Sequence, residues 1–524
     1  MSIELQKPEN EQMEHVENGE LPALQEKMTH TQIEELIQAE KEMSVWNTVK
    51  AHKRIVFYSL ISFLCGMTYG YDTVANGSTV AMPAFLLSFG EVDPETGSLY
   101  APSVWTSLWT SMSNAGQVVG SFSVGPVAQF VGRRYAMVGY AALSIAGTAI
   151  QFTAAGRGVL LAGKILNGVT VGALLAVGTT YASEISTIRL RGPILQALVF
   201  FSVAMQGTSL GIVRAFVPNM EPIAWKTVFA LQWVFGGLPM IAFLFPESPM
   251  WLLSKGKDEQ ARKSLQRLYG SNHDVEVRYQ ILVHTLETER NQLDEQASFI
   301  ECFKGADLKR TLTVAFLMFS NGTIGSGFLA QNVYFLLTVG LTAIQAFDIG
   351  IGGFFLGCLA IALSWTVTDK IGRRRLYLTG LTGNTIIMAL IGGLGFRSDK
   401  ATVWGIAVLM NVLISWQVFS CISVSWTLCP EISSYRLRQH SQSISYVVQA
   451  FSSWLFQFIV PYIYNTGSGN LGAKTGLVFT GLSAITLVIA YFLVPETAGL
   501  SVEDIDTAYA DKVRPRDFRK LRTD

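Results

Sequence analysis

Long apolar runs constrain this chain more than any other feature. A helix needs about 20 apolar residues to cross the hydrocarbon core of a bilayer. Runs of that kind recur at roughly 55–75, 104–125, 135–155, 159–182, 194–216 and 225–245. A polar stretch from 246 to 310 follows, and a second set runs at about 311–338, 345–367, 376–396, 402–428, 442–464 and 474–494. Only 15% of the residues are charged and 50% are hydrophobic, whereas a soluble domain carries about 25% charged residues. Lipid offers backbone groups no hydrogen bonds, so such runs fold as helices. The expectation is an all-α integral membrane protein with twelve transmembrane helices in two sets of six. The divisions are a polar tail over 1–52, a first half over 53–245, a central loop with short helices over 246–310, a second half over 311–494 and a tail over 495–524.

The basic residues set the orientation. Arg133 and Arg134 follow the second span, Arg189 and Arg191 the fourth, Arg373 and Arg374 the eighth, and Arg436 and Arg438 the tenth. The middle loop holds Lys255, Lys257, Arg262, Lys263 and Arg267, while the 89–103 loop carries only acids. Excess Lys and Arg mark cytoplasmic loops, so both termini and the middle loop are expected in the cytoplasm. Thr31–Met43, with a capping-box pattern at Thr31 and Glu34, and Asp258–Tyr269 read as short helices. Residues 1–25 and 510–524 read as disordered.

Lys plus Arg equals Asp plus Glu, at 39 each, so no basic excess points to nucleic acid. The five cysteines form no Cys-x-x-Cys pair and act as small hydrophobes. No metal cluster, nucleophile–base pair or phosphate loop appears, so neither an enzyme nor a cofactor is expected. Gly350 to Gly353 reads as a helix-packing run.

Motifs repeat between the two sets of spans. Ser183-Glu-Ile-Ser-Thr-Ile-Arg-Leu-Arg-Gly192 follows the fourth span, and Pro430-Glu-Ile-Ser-Ser-Tyr-Arg-Leu-Arg-Gln439 follows the tenth. Gly132-Arg-Arg134 answers to Gly372-Arg-Arg374, and Pro246-Glu-Ser-Pro249 to Pro495-Glu-Thr497. Three matches in register, each roughly 240–250 residues apart, indicate a parallel duplication of a six-helix unit.

These motifs, with Gly70-Tyr-Asp72 in the first span, resemble those of the sugar porter family within the major facilitator superfamily. Within it the chain is similar to the fungal α-glucoside permease branch, through Met82-Pro-Ala-Phe85, Ala346-Phe-Asp348, Ser364-Trp365 and Leu376-Tyr-Leu378. The resemblance implies the major facilitator fold, a monomer in the plasma membrane, and a small-molecule cargo moved by alternating access. A sugar, either an α-glucoside or a hexose, carried with protons is the leading expectation. A carrier or exporter of another small metabolite, such as a secondary metabolite, stands beside it, and a non-transporting nutrient receptor is a third reading.

Asp72 lies within a span, where an ionisable residue is costly and marks function by default. The resemblance sets Lys164 of the fourth span opposite it, where relatives more often have arginine. The two are expected to couple transport to protons; the alternative is a static ion pair locking helices one and four.

Arg133, Arg134, Glu184, Arg189, Arg191, Asp369, Arg373, Arg374, Glu431, Arg436 and Arg438 are expected to form gating salt bridges, or else to serve as topology anchors alone. Gln129 replaces the aspartate that usually precedes the first Gly-Arg-Arg, while Asp369 keeps it in the second half.

A sugar site needs neutral donors and acceptors with an aromatic platform. The substrate candidates are Gln206, Asn321, Gln331, Asn332, Trp426, Ser453, Trp454 and Gln457. The seventh span lacks the Gln-Gln-x-x-x-x-Asn pattern of hexose carriers, and Val199 replaces their fifth-span glutamine. Both departures argue against assuming glucose, and they fit a disaccharide or another ligand equally well.

Overall fold

The computed structural model describes residues 44–92, 97, 99–270, 275–284, 286, 299–397, 399–433, 437–465, 468–497, 502–511 and 513–521. The expected Thr31–Met43 helix and residues 1–25 lie outside them.

The chain folds as a helical bundle. The first half comprises α1 (Lys53–Ser78), α2 (Ser103–Val131), α3 (Arg133–Phe152), α4 (Arg157–Ile185), α5 (Ile188–Phe216) and α6 (Ile223–Gly237, continued by a 3-10 turn to Leu244). The second comprises α7 (Gly305–Thr323), α8 (Ala343–Ile371), α9 (Arg373–Leu394), α10 (Lys400–Trp416), α11 (Arg438–Tyr464) and α12 (Thr475–Leu493).

Ten helices among the described residues are long and apolar enough to cross a membrane. The other two long helices, α1 and α2, are more polar because they turn Ser59, Ser62, Thr68, Asp72, Thr106, Ser107 and Ser111 into the bundle. Small residues let helices meet closely in this setting. A Cβ at Gly120 of α2 would collide with the backbone of Val169 in α4.

Two helices depart from regularity. The seventh span, expected as one helix, breaks after Thr323: Gly325 takes φ +92, and short helices follow at Ser326–Leu329 and Asn332–Thr338. Such a break survives at membrane depth only where the protein satisfies the freed backbone groups. The tenth span passes through a π-helical turn, Gln417–Ile422, before ending as Ser423–Ile432.

The central loop contains the expected helix Asp258–Tyr269, capped by Gly270 at φ +83. The expectation of disorder beyond residue 510 is corrected by Pro515–Leu521, a 3-10 segment whose Phe518 is fully buried and packs edge-on to Tyr509.

The apolar core is divided. One cluster draws on both halves, joining Phe85, Trp109 and Trp225 to Phe328, Phe335, Phe347 and Tyr464. Two others stay within one half each. Ile55, Val124, Met137, Ile185 and Leu268 form the first-half cluster, and Leu317, Leu376, Leu428, Ile432 and Phe518 the second-half one. The separate clusters lie at the end of the bundle carrying Arg133 and Arg373, termed here the basic face. The halves therefore share a core at the opposite face and keep their own at the basic face.

Candidate functional site

Asp72 is 1% exposed, on the inward side of α1. Its Oδ1 accepts hydrogen bonds from Asn167 Nδ2 (2.5 Å) on α4 and Gln232 Nε2 (3.1 Å) on α6. Ser144 on α3 donates to Asn167 Oδ1 (2.8 Å), which turns the amide nitrogen toward Asp72. Oδ2 is buried without a hydrogen-bond partner. The adjoining crevice, between Thr68, Phe235 and Gly236, is too narrow to admit water.

The expected contact between Asp72 and Lys164 is not formed. Lys164, fully buried, donates instead to the backbone carbonyl of Asn76 (2.9 Å) and lies over the Phe229 ring at 5.5 Å. Asn76 is one helical turn beyond Asp72 on α1, so the ammonium ties α4 to the same helix without touching the carboxylate. A carboxyl held by neutral amides can change its charge without rupturing an ion pair.

The second half repeats this knot with one substitution of kind. Asn384 Nδ2 on α9 and Gln417 Nε2 of the π-helical turn donate to the carbonyl of Ile324 (3.2 and 2.8 Å). Asn384 also donates to Ser483 on α12 (2.8 Å). These elements answer in the duplication to α1, α3, α4 and α6. A backbone carbonyl released by the α7 break thus occupies the place of the Asp72 carboxylate. Only the first-half knot can titrate.

Between the halves runs a seam of neutral polar groups. Gln331, at the α7 break, donates to Thr110 Oγ1 (3.3 Å) and to the Gln457 carbonyl (3.2 Å), and accepts from Tyr464 (2.9 Å). Asn114 on α2 donates to Gln457 Oε1 (2.8 Å). Two other candidates carry buried atoms without partners: Asn321 Oδ1, an acceptor, and Trp454 Nε1, a donor. Buried polar atoms almost always find partners, and these two are among the exceptions in this bundle. The Trp454 ring stacks on Phe458, with centroids 6.0 Å apart. Ser453 accepts from Gln449 (3.5 Å), and Asn332 is buried at the start of its short helix. Gln206 is half-buried on α5. Trp426 is 38% exposed and packs beside Tyr446 at 5.5 Å.

Toward the opposite face the halves are stitched together. Tyr334 and Asn465 bond to the backbone of Ala101 (3.1 Å from Ala101 N to the Tyr334 hydroxyl, 3.0 Å from Asn465 to the carbonyl), and Ser468 bonds to Ser103 (2.9 Å). Arg214 and Asp348 add an ion pair.

At the basic face two ion pairs among the described residues each lie within one half. Arg133 meets Glu184 at 2.7 Å, and Arg373 meets Glu431 at 3.3 Å. Arg191 Nε donates to the Ser183 carbonyl (3.1 Å), and Arg189 is exposed. Arg134 lies between Tyr135 and Phe243, and Arg374 caps the carbonyls of Tyr491 and Val494. Arg436 and the side chains of Asp369 and Arg438 lie outside the described residues.

Among the residues whose place the sequence reading missed are two carboxylates at the basic face. Glu247 accepts from the backbone N–H of Arg133 (3.0 Å) and Arg134 (3.2 Å), and Glu496 accepts from that of Arg373 (2.9 Å). Each carboxylate caps a helix N-terminus, where negative charge is stabilised. Gly132 and Gly372, at φ +99 and +94, make room for them, since a Cβ at either would strike the carboxylate. Burial raises the Glu247 pKa above the ordinary range. The signal was present in the sequence, because both acids sit in repeated Pro-Glu motifs.

Two pseudo-symmetric six-helix halves around a neutral polar seam, with a single titratable knot in one half, define a membrane carrier of the major facilitator fold. Residues 58–509 match the family described as "Sugar (and other) transporter", and the chain belongs to that family. It is a multi-pass transporter, not an enzyme. An MFS transporter of Aspergillus fumigatus, fmqE, is 53% identical over 98% of this chain and 97% of its own length. The general alpha-glucoside permease of Saccharomyces cerevisiae is 27% identical over 93% of this chain and 80% of its own. Among solved structures, the inward-open xylose transporter XylE from E. coli superposes with a TM-score of 0.68 at 19% identity, covering 86% of this chain and 99% of that one. The last shows likeness of fold.

Proposed function

We propose that this chain carries a sugar, an α-glucoside or a hexose, across the plasma membrane together with a proton, by alternating access, as a monomer. The observation that carries the proposal is the Asp72 knot: a carboxyl at membrane depth, sealed from water, held only by amides and with one oxygen unpartnered. Asp72 takes the proton, and Lys164 holds α1 to α4 beside it. The cargo binds at the seam, on Asn321, Gln331, Asn332, Gln457 and Trp454, with Gln206, Ser453 and Trp426 along the route.

The excess of Lys and Arg at the basic face supports a cytoplasmic location for that face and for both termini. The division of the core at that face supports an inward-facing state. In the outward-facing state the Arg133–Glu184 and Arg373–Glu431 pairs, with Arg134, Glu247, Arg374 and Glu496 behind them, form the closed inner gate. Partly solvated pairs of this kind are weak enough to exchange partners.

A second reading keeps the mechanism and changes the cargo to another small metabolite. It is favoured by the contrast between 53% identity to a relative named only as an MFS transporter and 27% to the glucoside permease. Uptake of a panel of labelled sugars by transporter-deficient cells tests both. Accumulation of an α-glucoside or hexose that collapses with a protonophore supports the first reading. Failure of every sugar, with retained binding of a non-sugar metabolite, supports the second.

A further inference from the structure

We propose that the groove between the start of α1 and the Asp258–Tyr269 helix binds the phosphate headgroup of an anionic phospholipid. The groove has a volume of about 600 Å³ and is lined by Lys53, Arg54, Phe57, Tyr58, Gln266 and Arg267. Three cations converge there, and no acid lines it among the described residues. Lys53 and Arg54 are exposed on the first turn of α1. Arg267 reaches in from the facing helix, positioned by its bond to the Leu244 carbonyl (2.7 Å) and by the Tyr58 ring, 5.9 Å away.

The groove opens onto bare apolar surface. Phe57 and Leu60 on α1 are 56% and 43% exposed, and Phe243 and Leu244 at the end of α6 are 55% and 66% exposed. These side chains lie where the spans begin and end, at the level of the bilayer boundary. Free phosphate would use the cations and leave this rim bare. A phospholipid uses both, its headgroup on the cations and its acyl chains over Phe57, Leu60 and Leu244. Each Lys or Arg near an anionic surface strengthens binding roughly fivefold.

The test uses the full-length chain in detergent, titrated with short-chain phosphatidylserine and, separately, phosphatidylcholine, with adducts counted by native mass spectrometry. Phosphatidylserine is expected to bind in preference to phosphatidylcholine. The Lys53→Gln/Arg54→Gln variant, which leaves the Arg267–Leu244 bond intact, should weaken it roughly twenty-five-fold, and Arg267→Lys should retain it. Should the double variant melt below the wild type, each single substitution is expected to cost roughly fivefold. Equal phosphatidylserine binding by wild type and the Lys53→Gln/Arg54→Gln variant overturns the proposal. Displacement by inorganic phosphate at matched concentration makes the groove a free-anion site and overturns it as well. So does a zero-length carbodiimide cross-link from Lys53 to a glutamate of residues 1–43 that excludes the lipid, since the chain's own acidic segment would then be the occupant.

Discussion

Arg214 and Asp348 form a two-point ion pair between the halves. Arg214 Nε lies 2.8 Å from Asp348 Oδ1, and Nη2 lies 3.3 Å from Oδ2. The pair joins α5 to α8 toward the opposite face, where alternating access must part the halves. Both side chains are partly exposed, at 32% and 52%, so the pair is a weak, solvent-screened latch whose loss tips the two-state balance toward opening at this face. Asp348→Asn should therefore raise thiol labelling of a cysteine placed at Ser103, under the stitched seam. The charge exchange Arg214→Asp/Asp348→Arg should restore the wild-type rate. Unchanged labelling in Asp348→Asn would remove the pair from the gate.

Glu247 holds the N-terminus of α3 through backbone N–H groups. Setting an amide NH₂ against these buried backbone donors leaves a donor without its acceptor, which costs about 1–3 kcal/mol. Glu247→Gln should lower the melting temperature by a few degrees, and Glu496→Gln should do the same in the other half. Because burial raises the Glu247 pKa, the folded state binds this proton more tightly than the unfolded state. Stability from that source grows as pH falls through the raised value toward the ordinary glutamate range, and is lost as pH rises. The margin of wild type over Glu247→Gln should thus widen on mild acidification; a margin that narrows would contradict the assignment.

Gln331 ties α7 to α2 and α11 through three hydrogen bonds. Gln331→Ala leaves Tyr464 without its acceptor and removes a polar contact from the seam. At about 0.5–1.5 kcal/mol for a neutral hydrogen bond, the KM should rise two- to tenfold with kcat less affected. An unchanged KM would take Gln331 out of the cargo path.

The spans and the duplication were legible because each rests on local composition or on motifs in register, whereas the motifs named the charged residues of the basic face without saying which pairs they form. The partners of Asp72 were not. Asn167 and Gln232 sit on helices α4 and α6, and nothing local distinguishes an amide aimed at a carboxylate from one aimed at a backbone carbonyl. Lys164 was legible as a buried cation, but its reach to Asn76 rather than Asp72 depends on the rotation of α4 against α1. The second-half knot was hidden for another reason. Its acceptor is the Ile324 carbonyl, and a backbone group carries no sequence signature until the helix break exposes it. The burial of Phe518 was obscured by the charged residues around it.

Asp72 is proposed to carry the coupled proton, and Asp72→Asn removes that proton's site while leaving the knot's acceptor in place. The amide keeps an oxygen to accept from Asn167 and Gln232, so the variant should fold and bind cargo. Accumulation and counterflow should be measured on the same reconstituted vesicles, with and without a protonophore. The account predicts that Asp72→Asn exchanges cargo by counterflow but fails to accumulate it against a gradient. Protonophore-sensitive uphill accumulation by Asp72→Asn would contradict it.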